Sequence, residues 1–353
     1  MYFRTNYIDC ITLADTSVCD KAGSFLQSSM WGEFKSRFGW KNSAFLVEWA
    51  GYGSYPLMVL SRRLAPGFSF SYVPWGPELP AAFPSEYRYN ALAELAGKLK
   101  PLLTASNVFL RFEPPWHIKT NEELPSNNEL KAAGLRKAAA AVQAPDTVII
   151  NLENSLEEIL AAMKSKWRYN ISLAGKKGVQ VKTCGINELE IFYNLLSETA
   201  QRDGISVHSL SYYNTLFEIC SSRSDLSLRL YTANHDGDTI AAIIVLFRRD
   251  YATYLYGASS GLKRNLMSPY ALQWKAVQDA KDAGCKHYDL FGIPPDDNPG
   301  HPMAGLYLFK TGFGGQIVHR SGTWDYAFKP AVYYLFSIAE GIRKKLMNRK
   351  KTR

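Results

Sequence analysis

The sequence has no cysteines in a CxxC spacing. Its five, Cys10, Cys19, Cys184, Cys220 and Cys285, are odd in number and far apart, which argues against a disulfide framework and a cysteine zinc site and fits buried thiols in a reducing compartment. The six histidines, at 117, 208, 235, 287, 301 and 319, never stand four apart, so no helical metal site is expected. No stretch approaches the roughly 20 apolar residues of a membrane span. Residues 1–30 carry Asp9, Asp15 and Asp20 and lack the apolar run of a signal peptide. Neither GxxxxGK[ST] nor HExxH occurs, which removes P-loop and zinc-peptidase chemistry. The expectation is a cytoplasmic protein without a metal or other cofactor.

Present instead are 353 residues, enough for two domains, with a formal net charge of +9. A positive field of that kind raises the encounter rate with polyanions such as RNA, nucleotide diphosphates or anionic lipid. It does not choose among them, and solvated basic faces alone also account for it.

An internal similarity organises the chain. In the first half, strand patterns at Ala44–Trp49, Tyr55–Arg63 and Phe68–Pro74 close on Trp75-Gly76-Pro77. In the second, Leu228–Ala233, Thr239–Arg249 and Tyr251–Tyr256 close on Gly257-Ala258-Ser259-Ser260. Each set is followed by apolar residues at helical spacing, Tyr89, Leu92, Leu95, Ala96 and Leu99 in one case, Leu272, Val277, Ala280 and Ala283 in the other. Each helix feeds a further strand, Val108–Phe112 or His287–Gly292. An antiparallel meander, a helix and a strand returning beside the meander is the order of the N-acetyltransferase-like (GNAT) fold. The fold class predicted is therefore α/β (α+β), a tandem of two GNAT-like domains over residues 1–150 and 151–320. In this reading the first domain ends with the strand at 147–152, and the second opens with a helix at 155–177. Residues 321–353 form a C-terminal segment and basic helix that packs back on the first domain. Its apolar residues Tyr333, Leu335, Ile338, Ile342 and Leu346 give way to Arg349-Lys350-Lys351, a pattern that suits either packing with a solvated end or contact with the inner face of the cytoplasmic membrane.

The Arg/Gln-x-x-Gly-x-Gly loop by which acyl-CoA-dependent members of that fold hold pyrophosphate is not intact. The nearest approach, Phe309-Lys310-Thr311-Gly312-Phe313-Gly314, lacks the leading residue.

Seven stretches carry a more specific resemblance. They are Trp31-Gly32-Glu33-Phe34-Lys35 with Gly39-Trp40; Tyr72-x-Pro74-x-Gly76-Pro77; Lys166-x-Arg168-x-Asn170-Ile171-x-x-Ala174-x-Lys176-Lys177-Gly178-Val179; Thr199-Ala200-x-Arg202-Asp203-Gly204-Ile205; Tyr256-Gly257-Ala258-Ser259-Ser260; Gly305-Leu306-Tyr307-x-Phe309-Lys310-Thr311-Gly312-Phe313-Gly314-Gly315; and Gly322-Thr323-Trp324-Asp325. In this order, over residues 25–328, the chain resembles the FemABX peptidyltransferases, which build peptidoglycan cross-bridges with aminoacyl-tRNA as donor.

The resemblance implies transfer of an amino acid to the side-chain amine of the third residue of a peptidoglycan precursor stem peptide. The acceptor is either UDP-MurNAc-pentapeptide or its lipid-linked form, lipid II. It also implies that Lys35 and Arg202 hold the precursor's diphosphate and that Lys310 and the backbone of the adjacent Phe309 lie at the transfer site. By strand alternation Tyr254 and Tyr256 share a face, where a phenol either orients the stem peptide or packs against a core face. Lys310 is expected in a glycine-rich turn that brings backbone close to a ligand. Read by residue type alone, Lys35 and Lys310 are solvated lysines and Arg202 is the partner of Asp203.

Two departures from the family pattern stand out. Where relatives carry Arg-x-Asp-Pro, once proposed to supply a base, this chain has Arg111-Phe112-Glu113-Pro114, leaving Glu113 as base or as partner of Arg111. No heptad run provides a coiled-coil arm. Donor tRNA contact then falls to Arg168, Lys176, Lys177 and the C-terminal basic run. A monomer that binds no DNA is expected. The rival readings are an acyl-CoA-dependent acyltransferase of polysaccharide synthesis and a non-catalytic RNA- or membrane-surface-binding protein.

Overall fold

The computed structural model describes residues 6–118 and 126–351, with the side chains of residue 127 and of 343–351 outside the description. Two compact units emerge, Met1–Pro145 together with His319–Arg353, and Asp146–Val318.

In the first unit, β1 (Ile8–Ala14), α1 (Ser29–Ser36), β2 (Lys41–Trp49), β3 (Gly53–Ala65), β4 (Phe68–Val73), α2 (Arg88–Leu99), β5 (Asn107–Phe112), α3 (Asn127–Ala132) and β6 (Leu135–Lys137) follow in sequence. Strands β1 to β4 form an antiparallel meander. Helix α2 then carries the chain back, so that β5 lies parallel to β4 up to the pair Val73↔Phe112, as a crossover requires.

The second unit contains β7 (Thr147–Asn151), α4 (Leu156–Ala162), α5 (Ser165–Lys176), β8 (Gln180–Cys184), α6 (Leu189–Asp203), α7 (Leu210–Ser221), β9 (Leu226–His235), β10 (Asp238–Arg248), β11 (Tyr251–Ser259), α8 (Ser268–Asp282), β12 (His287–Asp289), α9 (Ala304–Thr311) and β13 (Gln316–Val318). The chain then returns to the first unit as β14 (Trp324–Ala327) and α10 (Pro330–Lys351). The two sheets run β1-β2-β3-β4-β5-β14-β6 and β13-β7-β12-β11-β10-β9-β8. Each places a meander beside a parallel strand reached through a helix, which is the tandem GNAT-like arrangement.

Strand β5 is buried at every position because helices cover both its faces, as near-continuous apolar strands demand. Leu110 and Phe112 join Leu92 and Leu95 of α2 in one core cluster. Val108 and Phe109 join Tyr333 and Phe336 of α10 in another. Arg111 lies within this buried strand, where its guanidinium forks onto Asp325 (2.8 Å at both oxygens) and onto Glu340 (2.9 Å at both). The ion pair expected between Arg111 and Glu113 is therefore absent. Asp325, reached through the β5–β14 ladder, is better aligned with the fork, and Tyr333 adds a hydrogen bond to it at 3.0 Å.

The strand at 147–151, expected to close the first unit, instead pairs with β12 and β13 in the second sheet. Its counterpart beside β5 is β14, from the far end of the chain. The single helix expected over 155–177 is two helices. Met163 adopts extended backbone at the end of α4, and a second start follows at Ser165.

In β11 a bulge changes which residues share a face. Tyr254 pairs with Val245 and Tyr256 with the adjacent Ile244, so Leu255 is the extra residue. Tyr254 and Tyr256 therefore point to opposite faces, not to one as alternation predicts. Tyr254 packs against the cluster that holds Leu272 and Phe313, whereas Tyr256 meets the Tyr213 ring edge-on, 5.1 Å between centroids.

Beyond the bulge the sheet opens. Strand β12 pairs with β11 only over Tyr251–Thr253, while β11 continues against β10 as far as Ser259. In the first unit β4 and β5 stay paired to their ends. Among the described residues, the divergence typical of the fold thus belongs to the second unit.

Candidate active site

Lys310 stands at this opening. It occupies the last turn of α9, not a turn of the chain, and is 5% exposed, so the solvated lysine of the sequence reading does not exist. Its Nζ donates to the carbonyls of Gly292 (2.9 Å) and Phe291 (3.3 Å) and lies 5.2 Å from the centroid of the Tyr254 ring. Burial pulls the ammonium down to about 7 from its ordinary 10.5, and the Asp289 carboxylate opposes the fall.

Phe291 is held at φ 59°, an uncommon conformation for a side-chain-bearing residue. Its N–H donates to Asp289 Oδ1 at 2.8 Å, and Asp289 accepts a second bond from the Thr147 hydroxyl. The buried Asp289 thus fixes the turn whose carbonyls hold Lys310. Nothing in the sequence except its nearness to a motif glycine points to Asp289.

The glycines after Lys310 serve packing. A Cβ on Gly312 would lie 2.1 Å from the Trp167 ring, and one on Gly314 would lie 2.4 Å from the Ala162 carbonyl oxygen. That close seating lets Lys164 N–H bond the Gly312 carbonyl at 2.9 Å and Trp167 Nε1 bond the Phe309 carbonyl at 2.9 Å. The Phe309 backbone is held by the start of α5, which explains why these motifs belong together. Gly257 is needed for the same reason: a Cβ there would sit 1.8 Å from the Tyr254 hydroxyl.

Burial pushes the Tyr254 phenol up to about 12 and Tyr256 well above its ordinary value. Both phenols are thereby held neutral and are not bases. Gly257-Ala258-Ser259-Ser260-Gly261 has the spacing of a nucleophile elbow. Ser259, however, is paired to Ala241 within the ladder, and the Ser260 hydroxyl donates to Glu198 at 3.1 Å. Arg202, at the end of α6, donates to the Ser259 carbonyl (2.8 Å) and pairs with Asp203 (3.0 Å), which ties it to the same strand end.

Glu113 is buried and fully engaged. It accepts from the Tyr72 hydroxyl, the Val142 and Gln143 amides, and the Thr323 hydroxyl. Burial raises its carboxyl while these four donors oppose the rise.

Lys35 lies in the last turn of α1 in an aromatic setting, its Nζ 5.5 Å from the Trp31 ring centroid and 5.9 Å from those of Phe34 and Trp40. Burial, followed by the charge of Arg62, lowers it to about 8. An ammonium so partly stripped of water is primed to gain from a phosphate partner.

Of the residues expected to meet tRNA, Lys176 and Lys177 are exposed at the end of α5. Arg168 caps α4, its Nη1 bonding the Met163 carbonyl and that of Ala161 (3.1 Å). The side chains of Arg349, Lys350 and Lys351 lie outside the described residues. No helix among the described residues is long and apolar enough to cross a membrane, and none of their side chains form a cluster that would hold a metal ion.

Comparison with known proteins places the chain in a family. The model of the FemAB family matches residues 17–234 and 228–341. A lipid II:glycine glycyltransferase of Staphylococcus epidermidis is 21% identical over 380 positions, covering 89% of this chain and 90% of the relative. That of Staphylococcus saprophyticus is 22% identical and covers 93% of both. Since 89% of 353 residues is about 314, some 66 of the 380 positions in the first alignment fall opposite gaps in this chain. The crystal structure of FemX superposes with a TM-score of 0.78 at 18% identity, over 93% of this chain and 99% of FemX. A tandem GNAT protein from the clavulanic acid biosynthesis pathway gives 0.50 at 12% identity, over 90% of this chain and 98% of that one. With the family model spanning most of its length, and glycyltransferases matching about nine-tenths of it, the chain belongs to the FemAB family and is an aminoacyltransferase.

Proposed function

We propose that this protein transfers an amino acid from aminoacyl-tRNA to the side-chain amine of the third residue of a peptidoglycan precursor stem peptide, with the lipid-linked precursor as the acceptor in the cell. The acceptor class follows the lipid II:glycine glycyltransferases that match it. The observation that carries the chemistry is Lys310, a buried ammonium with two of its N–H bonds directed to the Gly292 and Phe291 carbonyls. An ammonium has three, so one remains for a developing oxyanion.

In the reaction the neutral amine attacks the ester carbon that joins the amino acid to the tRNA ribose. The new C–N bond forms as the carbonyl becomes an oxyanion, which Lys310 stabilises in a site shielded from water. Collapse breaks the C–O bond to the ribose, and the proton lost by the amine goes to the leaving oxygen. The ester is already activated, so positioning and charge stabilisation suffice.

Phe309 contributes its backbone, held in place by Trp167. Lys35 and Arg202 are assigned to the precursor's phosphates, and Tyr254 and Tyr256 to substrate orientation from opposite faces of β11. Lys176 and Lys177 are assigned to the tRNA backbone, with Arg168 supporting them by its cap on α4. Glu113, whose acceptor positions are taken, is assigned a structural part.

The test is to incubate the purified protein with total charged tRNA and either UDP-MurNAc-pentapeptide or lipid II and to weigh the products. One added aminoacyl mass that depends on charged tRNA is expected. No added mass on either acceptor, together with thermal stabilisation by coenzyme A, would overturn the proposal.

A further inference from the structure

Helix α10 has two apolar faces. One, with Tyr333 and Phe336, packs on β5 of the first unit. On the other, Tyr334 (67% exposed), Leu335 (68%), Ile338 (45%) and Ile342 (54%) are open to solvent. At 100° per residue these four span about 100° of the helix, centred nearly opposite the packed face. A surface helix ordinarily turns its polar side outward, and one that is apolar on both sides requires a second apolar environment.

The charges beside this stripe identify that environment. From Gly341 to the end, the sequence has seven lysines and arginines and no acidic residue. Next to Tyr334, a cavity of about 470 Å³ is lined by Lys131, Arg136 and Lys137. An aliphatic stripe with a tyrosine at its edge, a cation-lined cavity next to it and a basic run after it in the sequence has the composition of a helix lying in the interface of an anionic bilayer. RNA also attracts the cations but has no use for exposed Leu335, Ile338 and Ile342, and a second copy of the chain would bring like charges together.

We propose that α10 docks the protein on an anionic phospholipid surface, the Leu335–Ile338–Ile342 stripe entering the headgroup boundary and Lys131, Arg136 and Lys137 meeting lipid phosphates. The inference deepens the functional reading, because such docking brings the enzyme to the surface that carries a lipid-linked acceptor.

The full chain would be co-sedimented with vesicles of phosphatidylglycerol and phosphatidylcholine, and with vesicles of phosphatidylcholine alone. Binding to the first at least tenfold stronger than to the second is expected, weakened by 0.5 M salt. Leu335→Ser/Ile338→Ser/Ile342→Ser should reduce it at least tenfold with an unchanged melting temperature, since these side chains touch solvent. Equal sedimentation of the wild type with both vesicles or with neither, or full binding by the triple variant, overturns the proposal. So does a dimer that the triple substitution dissociates, or tRNA affinity that it reduces in parallel. Transfer to UDP-MurNAc-pentapeptide and to lipid II in detergent micelles, measured on the same samples, keeps the two readings apart. If vesicle binding is intact without any transfer, only the functional reading falls. If transfer is intact without vesicle binding, only the docking falls.

Discussion

Lys310 gives the sharpest prediction, because its two titration states have opposite consequences for the rate. The fall from 10.5 to about 7 corresponds to about 5 kcal/mol against the charged form at 1.36 kcal/mol per pH unit. Half the free enzyme then carries the ammonium at pH 7, and roughly a tenth at pH 8. The acceptor amine, a lysine-type group near 10.4, becomes ten times more nucleophilic per pH unit over the same range. Their product gives kcat/KM a slope of one below pH 7 and a plateau above it, since kcat/KM reports groups of the free enzyme. Lys310→Met should lower the rate about 10²–10³-fold, as loss of an oxyanion donor does, and should restore a slope of one from pH 6 to 9. Initial rates at subsaturating acceptor provide the measurement. A wild-type profile that climbs straight through pH 7, or a break that survives in Lys310→Met, refutes the role. The same depression sets a stability window. The unfolded lysine keeps its proton to about 10.5 and the folded one releases it near 7, so the folded state gains stability as pH rises between these values. The gain is about 2 kcal/mol from pH 7 to 9, and Lys310→Met should lose that increment in paired denaturant titrations.

Further substitutions separate site from scaffold. Glu113→Gln should cost about 1–3 kcal/mol of stability, because an amide cannot accept from all four donors, while leaving kcat within about threefold; a loss of 10²–10⁴ in kcat at intact stability would instead make it a general base. Lys35→Ala should weaken precursor binding about 10–150-fold, the equivalent of one charge-assisted hydrogen bond of about 1.5–3 kcal/mol, with little change in melting temperature; calorimetry with UDP-MurNAc-pentapeptide checks it, and unchanged affinity counts against the assignment. Gly312→Ala should destabilise by about 1–3 kcal/mol through overlap with Trp167 and lower kcat by displacing the Phe309 backbone, whereas Gly305→Ala, with open space around it, should do neither.

The elements most legible in the sequence are those whose cause is local. Alternating strands broken by Gly51 and by Asp236-Gly237, both at positive φ, locate the two meanders, and apolar spacing locates α2 and α8. What is not legible depends on partners remote in sequence or on a one-residue shift. Strand β14 reaches β5 across about two hundred residues, at Trp324↔Phe112, and no local pattern announces it. The bulge at Leu255 is invisible in a run that reads Tyr-Ala-Thr-Tyr-Leu-Tyr, yet it parts Tyr254 from Tyr256. Glycines at 312, 314 and 315 suggest a turn around Lys310, but their lack of side chains serves Trp167, Ala162 and Ile149, and the helix before them is intact. Strands β1 and β6, together with α3 and α7, carry no motif that announces them.

That the two units repeat a topology does not make them equivalent in chemistry. In the first, Glu113 N–H continues the parallel ladder onto the Val73 carbonyl at 3.1 Å, and the Glu113 carboxylate binds Tyr72, Val142, Gln143 and Thr323 across the strand ends. The place where the fold would open is stitched shut. In the second, the corresponding carboxylate position is taken by a turn through Asp289 and Phe291 that leaves β11 unpaired on that side. The carbonyls of that turn, at Phe291 and Gly292, receive the Lys310 ammonium. The same acidic chemistry thus closes one copy and holds the other open around a cation. A double substitution that loosened Glu113 and Thr323 would accordingly release the end of β5 and lower the melting temperature, because the Glu113 carboxylate is what ties the strand end to Tyr72, Val142, Gln143 and Thr323.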